Sequence, residues 1–270
     1  MQIGVIGIRS KHLRFFRRSL LRLFPSGEHR ITHIWGYDAP ELLPDWPELI
    51  HCDTPEALIR SVDAVIVALR DGTQHAALAQ MALEAEKPVF VDKPFTCDAA
   101  QAARLAELSA ARRVPCTGGS TVCFTKEVRQ LQNKLPRQFR YELSYQADPF
   151  SPFGGWYFYG SHLTDLCVSI FGENWLSVQA SQNGDRITAA VEYPSFQVVL
   201  RTAPAVQPLL LLAGEYTYTL DDSGCYDAGM AHFIAAAQGR ETGNAAKLVR
   251  SVALLDAIFT SLREGQPYPG

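Results

Sequence analysis

Val89-Phe90-Val91 runs straight into Asp92-Lys93-Pro94-Phe95. A lysine placed directly after a buried strand is held at the strand's end, not swung freely into solvent. From there its ammonium can donate to a substrate hydroxyl or carbonyl and stabilise a developing alkoxide. Pro94 sets the direction of the backbone, and the bond before it is one where a cis peptide is tolerated. The plainer alternative is a solvated lysine, which the Lys-Pro step after an apolar run disfavours.

A second candidate lies in Gly154-Gly-Trp-Tyr-Phe-Tyr-Gly-Ser-His-Leu-Thr-Asp165. His162 and Asp165 are three apart, so on a helix they share a face. An imidazole shuttles protons at neutral pH. A helical histidine is more often structural, but the glycine-rich, aromatic approach and the carboxylate on the same face favour a functional role.

The third candidate is the turn Gly7-Ile-Arg-Ser-Lys-His12. A full dinucleotide fingerprint is G-x-G-x-x-G. Only its first glycine is present, and Arg9 and His12 stand where the other two belong. The context is still that of a nucleotide site: a strand, a glycine turn and a helix start, whose N–H groups attract phosphate. Arg9, Ser10 and Lys11 border the expected anion, and the two cations can add charge-assisted hydrogen bonds. Asp38 is the candidate for the ribose hydroxyls. It reads equally well as a turn residue before Pro40.

These groups need strands and helices in a particular order. Gln2 to Gly7, Ile31 to Tyr37, Asp63 to Leu69, Pro88 to Val91 and Val114 to Thr117 read as strands, the clearest being the apolar run of Asp63 to Leu69. Helical patterns fall between them at 10–24, 54–61, 74–85 and 99–112, the second opening with Thr54 before Pro55. This alternation predicts a doubly wound parallel α/β sheet over residues 1–117, with ligands at the strand C-terminal edge. From 118 to 270 the pattern changes. Strands at 140–147, 176–181, 186–193, 197–202 and 215–220 lack intervening helices, so an α+β domain with a largely antiparallel open sheet is expected. Helices at 160–171, 227–238 and 245–263 should flank it, the last packing back on the first domain.

Composition narrows the function classes. A 47% hydrophobic chain of 270 residues is rich enough for two packed cores. A formal net charge of -3 disfavours nucleic acid or an anionic membrane as partner. The one basic cluster, Arg14, Arg17, Arg18 and Arg22, alternates with apolar residues at helical spacing and reads as a solvated helix face. No apolar run is long enough for a membrane span or has the layout of a signal peptide. The six cysteines form no C-x-x-C and no zinc-ligand cluster, so no metal is expected. They read as reduced thiols of a cytoplasmic protein.

Together these motifs resemble the Gfo/Idh/MocA oxidoreductase family. The resemblance rests on Asp63 to Leu69 running through His75, on Val89 to Phe95, and on Gly160-Ser-His-Leu-Thr-Asp165. Asp92-Lys93-Pro94 resembles the family's Glu-Lys-Pro motif, whose lysine sits between nicotinamide and substrate. Gly160-x-His162-x-x-Asp165 resembles its Gly-x-His-x-x-Asp motif, whose histidine is the usual acid/base. The resemblance implies NAD or NADP as cofactor and oxidation or reduction of a sugar, polyol or related hydroxyl compound. It places Leu69, His75, Asp92, Lys93 and Pro94 beside the cofactor and Lys93, His162 and Asp165 in catalysis. Trp156, Tyr157 and Tyr159 become candidate walls for a sugar ring, and the C-terminal sheet a candidate homo-oligomer interface. Two departures stand out: the incomplete glycine run, and Phe158 where many members carry an aspartate. They imply weak cofactor binding and keep open an alternative, a Rossmann-like binding or regulatory protein without turnover.

Overall fold

The computed structural model describes every residue except 37–39, 133, 136–139 and 204–208. The first strand, β1 (Gln2–Ile6), is buried from Ile3 onward and pairs in parallel with β2 (Arg30–Trp35) and β4 (Ala64–Val67). A short strand β3 (Ile50–His51) extends that edge, and β5 (Val89–Val91) and β6 (Cys116–Gly118) extend the other. The order is β3-β2-β1-β4-β5-β6, all parallel. The connections are α1 (His12–Leu23), α2 (Pro55–Ser61), α3 (His75–Glu84) and α4 (Ala99–Arg112). The direction of winding reverses between β1 and β4, and that switch point opens the ligand crevice.

Local chemistry accounts for these elements. In α1, Leu13, Phe16 and Leu20 recur at helical spacing and are buried, each worth about 1.5–3 kcal/mol. Its arginines face outward, where Arg14 pairs with Asp45 and Arg17 with Glu48. The Thr54 hydroxyl accepts from the Ala57 N–H, capping α2 as its sequence predicts.

The second half begins with α5 (Lys126–Leu131) and contains β7 (Arg140–Gln146), α6 (Trp156–Phe171), β8 (Ser177–Asn183), β9 (Arg186–Glu192), β10 (Gln197–Ala203), β11 (Leu210–Ala213) and β12 (Tyr216–Thr219). Helices α7 (Cys225–Ala237) and α8 (Ala245–Glu264) and a short β13 (Tyr268–Pro269) complete it. The sheet order is β12-β11-β7-β10-β9-β8-β13, antiparallel except for the β7–β10 pair. Leu210–Ala213 form β11, a strand not expected from the sequence because it is too short and too uniformly apolar to alternate.

Two corrections concern helices. The helix expected from Gly160 begins a full turn earlier, at Trp156. The helix expected beside the second sheet, α7, instead packs on α1 and the first sheet. Its Met230, Phe233 and Ile234 share a core with Phe16, Ile66 and Phe90. Meanwhile α8 packs on α4 on one side and on α6 on the other. The chain thus crosses back twice, and the two halves share cores.

Candidate active site

The ends of β1 and β4 meet at Gly7. Its φ is 106°, and a Cβ there would lie 2.6 Å from the backbone nitrogen of Leu69. Only glycine fits, because the exits of two adjacent strands nearly touch. The turn then carries Arg9, Ser10 and Lys11 to the start of α1, where the Ser10 hydroxyl accepts from the His12 N–H. Ile8, Arg9, Ser10 and Lys11 line a groove with Trp46 and Arg70. It runs into a larger cleft through Ser10, Lys11 and Arg70, which border both.

The larger cleft lies between the halves, with Lys93, His12, Asp92 and His162 in its walls. Lys93 comes directly after β5 and Asp92, and is only 3% exposed. Its Nζ sits 3.1 Å from the centre of the Phe158 ring and 4.9 Å from that of Tyr159. Burial lowers the Lys93 pKa to about 8, against the opposing charge of Asp92 and with added repulsion from Arg70. Asp92 is turned the other way: its Oδ2 lies 2.5 Å from Nδ1 of His12. Burial pushes the Asp92 carboxyl up, but the charge and hydrogen bond of His12 outweigh it and hold it below the ordinary value. His12, at the third position of the glycine fingerprint, is therefore bound to the carboxylate that precedes the lysine.

His162 enters from α6. Its Nδ1 lies 2.7 Å from the Ser120 hydroxyl, and its ring packs edge-on against Tyr145 at 5.1 Å. Burial, helped by Lys93 and His12, lowers the His162 pKa to about 3, so the imidazole is neutral at physiological pH. Asp165 does not touch His162 directly. It accepts from the Ser120 N–H at 2.7 Å. Burial raises its pKa to about 7, partly offset by donors from Ser120 and Ser251. A Cβ on Gly119 would lie 2.7 Å from the Asp165 carboxylate, so this approach requires glycine there. Ser120 is thus gripped through its backbone by Asp165 and through its side chain by His162.

The structure brings together Ser10, Lys11, His12, Asp92, Lys93, Tyr159 and His162, with Gly7 and Arg9 in the adjoining turn. Others lie elsewhere. Trp156 and Tyr157 are not cleft walls: Trp156 is buried and donates from Nε1 to Thr202, and Tyr157 stacks on Phe259 and donates to Asp256. The earlier start of α6 explains this, since Phe158, Tyr159 and His162 share the cleft face and the first two residues of the helix turn toward the core. Leu69 and Pro94 act through their carbonyls, which face the two ring nitrogens of the buried His75 at 2.8 and 2.7 Å. That contact ties together the loops after β4 and β5, away from the cleft surface. The Lys93–Pro94 bond is cis. Asp38 lies outside the described residues.

Sequence reasoning passed over Arg70, Phe153 and Tyr226, which line the cleft, and Ser120, which reaches it through His162. Gly118-Gly119-Ser120 at the end of β6 was a usable signal, because small residues at a strand C-terminus mark a close approach. Tyr226 sits on α7, whose return to the first sheet has no local signature.

Residues 1–120 match the GFO_IDH_MocA family, described as "Oxidoreductase family, NAD-binding Rossmann fold". The chain is 25% identical over 228 residues to "Uncharacterized oxidoreductase YdgJ" of Escherichia coli, covering 74% of this chain and 64% of that protein. It is 36% identical over 118 residues to "Inositol 2-dehydrogenase" of Gluconacetobacter diazotrophicus, covering 41% of this chain and 33% of that protein. It therefore spans less than two thirds of the length of these curated relatives. A probable dehydrogenase from Thermotoga maritima shares the fold at a TM-score of 0.82 and 17% identity, covering 100% of this chain and 98% of that one.

Proposed function

We propose that the chain belongs to the Gfo/Idh/MocA oxidoreductase family, whose model its residues 1–120 match, and that it is an NAD(P)-dependent dehydrogenase or reductase acting on a hydroxyl or carbonyl compound. The observation that carries this reading is the convergence of Lys93 and His162 on one cleft that is continuous with the groove at Gly7. That groove fits a dinucleotide: its glycine admits close backbone approach, and Arg9, Lys11 and the α1 N-terminus supply donors for a pyrophosphate. The nicotinamide, when bound, supplies or accepts the hydride.

The remaining steps belong to this chain's residues. With its Nδ1 proton donated to the Ser120 hydroxyl, His162 carries a lone pair on Nε2 and takes the substrate hydroxyl proton. The Lys93 ammonium donates to the same oxygen and stabilises negative charge as the proton leaves. In the reverse direction His162 returns the proton to the new alkoxide. Asp165 is a positioning residue, acting through Ser120. Tyr159 forms part of the wall beside Lys93.

We propose further that the protein is cytoplasmic and assembles as a homo-oligomer through the second sheet. Six free thiols support the first point. The second is supported by the packing of α6 and α8, which cover one face of that sheet and leave Glu142, Arg201, Gln197 and Glu192 on the other. No described helix is long and apolar enough to cross a membrane. Light scattering tests the assembly, and a monomer at all concentrations would count against it.

The central test is titration with NAD+, NADH, NADP+ and NADPH, monitored by nicotinamide fluorescence and thermal shift. At least one form should bind and stabilise the protein, with an affinity that Arg9→Gly changes. No stabilisation by any form at millimolar concentration would overturn the dehydrogenase reading.

A further inference from the structure

Arg70 and Lys93 both border the cleft, and among the described residues neither forms an ion pair. Each cation is instead held over an aromatic face. The Arg70 guanidinium lies 4.7 Å from the centre of the Phe153 ring, and the Lys93 ammonium 3.1 Å from that of Phe158. The two rings touch, with centroids 5.5 Å apart. Two like charges thus stand along one aromatic wall. Burial is the main cause of the lowered Lys93 pKa, and repulsion from Arg70 adds to it.

The carboxylates nearby relieve this charge only in part, since the charge of Asp92 acts on Lys93 without outweighing its burial. Asp92 is engaged by His12. Asp222 borders the cleft together with Cys225 and Tyr226, where it adjoins a second pocket. A guanidinium stacked on a ring keeps its N–H donors at the ring's edge, in the plane that suits a carboxylate fork. A neutral polyol would leave both cations uncompensated in a partly desolvated cleft, whereas an anion would offset them.

Resting on the dehydrogenase reading, we propose that the substrate is a hydroxy acid or sugar acid, and that Arg70 anchors its carboxylate while Lys93 and His162 address the reacting hydroxyl. Arg70 also touches the groove beside Gly7, so a cofactor phosphate is the competing anion. The groove has its own cations in Arg9 and Lys11, whereas the rings that hold Arg70 and Lys93 come from the second half of the chain. That arrangement places Arg70 on the substrate side.

The test uses paired probes that differ in a carboxylate: D-glucuronate against D-glucose, and tartrate against threitol. Each is titrated into the full chain, with and without the tightest-binding nicotinamide form, by thermal shift and fluorescence. The acid of at least one pair should bind about ten-fold or more tighter than its neutral partner, the range expected of a charge-assisted hydrogen bond. Arg70→Gln should remove that preference, Arg70→Lys should keep part of it, and both should leave cofactor affinity unchanged. Equal binding of acid and neutral probes would overturn the proposal. So would an Arg70→Gln variant that loses cofactor affinity while keeping the acid preference, because Arg70 would then serve a cofactor phosphate. If no nicotinamide form binds, the dehydrogenase reading fails by itself. The titrations without cofactor still decide whether Arg70 selects a carboxylate.

Discussion

Nδ1 of His162 lies 2.7 Å from the hydroxyl of Ser120, which turns the opposite edge of the imidazole toward the cleft. The same serine donates its backbone N–H to Asp165. A histidine is useful as a base only when one nitrogen is committed elsewhere, and this contact makes that commitment.

His162→Ala should lower turnover by about 10²–10⁴-fold, the usual worth of general acid–base help, while cofactor affinity stays nearly unchanged. Ser120→Ala keeps the imidazole but frees its orientation, so a smaller loss is expected, roughly ten-fold. Steady-state kinetics beside a fluorescence titration separate the two effects. Equal loss of cofactor binding and turnover would point to a folding defect instead.

Lys93 gives a pH signature. Its pKa is lowered to about 8 by burial, so the ammonium is present at neutral pH and is lost above that value. The profile of kcat/KM should fall on an alkaline limb near pH 8. Lys93→Arg stays charged throughout the accessible range, so its activity, though lower, should lack that limb. An unchanged limb in Lys93→Arg would assign it to another group.

The His12–Asp92 pair makes a stability prediction. Removing one partner of a buried pair costs about 3–5 kcal/mol, and the part-exposure of His12 places His12→Ala toward the low end. His12→Ala with Asp92→Asn should recover much of the loss, since the stranded charge is gone. The Asp92 carboxyl is held below its ordinary value of 3.8 in the folded state. Its stabilising contribution is therefore present above that pH and lost as pH falls below it. Urea melts of the native chain, His12→Ala, Asp92→Asn and the double variant at about pH 7 and about pH 3, on either side of that value, measure both effects. A His12→Ala variant as stable as the native chain would refute the coupling.

Asp165 has the opposite sign. Its folded pKa is raised by burial from 3.8 to about 7. A raised carboxyl contributes its full stabilisation below pH 3.8 and loses it as pH rises through 7. Asp165→Asn cannot ionise. The melting temperature of this variant, relative to the native chain, should therefore rise between about pH 4 and about pH 7 by roughly several degrees. A pH-independent difference would show that Asp165 does not titrate in this window.

Gly160 is held open by its neighbour: a Cβ there would lie 2.3 Å from the Trp156 ring. Gly160→Ala should cost about 1–3 kcal/mol by overpacking, and should displace His162 on the same helix. Thermal denaturation and turnover should both fall. A variant of native stability would show that Trp156 can move aside.

The positions of Gly7, Lys93 and His162 were legible in the sequence, because each is set by a local pattern. A buried parallel strand is a short apolar run, and the residues directly after it must emerge at the C-terminal edge of the sheet. The order of the first sheet comes from strands and helices alternating with right-handed crossovers. The partners of those residues were not legible. His12 meets Asp92, Ser120 joins His162 to Asp165, and Arg70 stacks on Phe153 across the boundary between the halves. None of these pairs is close in sequence, so no periodicity encodes them. The faces of Trp156 and Tyr157 depended on where α6 begins, since each residue turns a helix face by about 100°. The packing of α8 back on the first half was expected from the sequence, but the return of α7 to the first sheet was decided by packing: its apolar residues can be buried against either half by composition alone, and only the assembled surfaces chose.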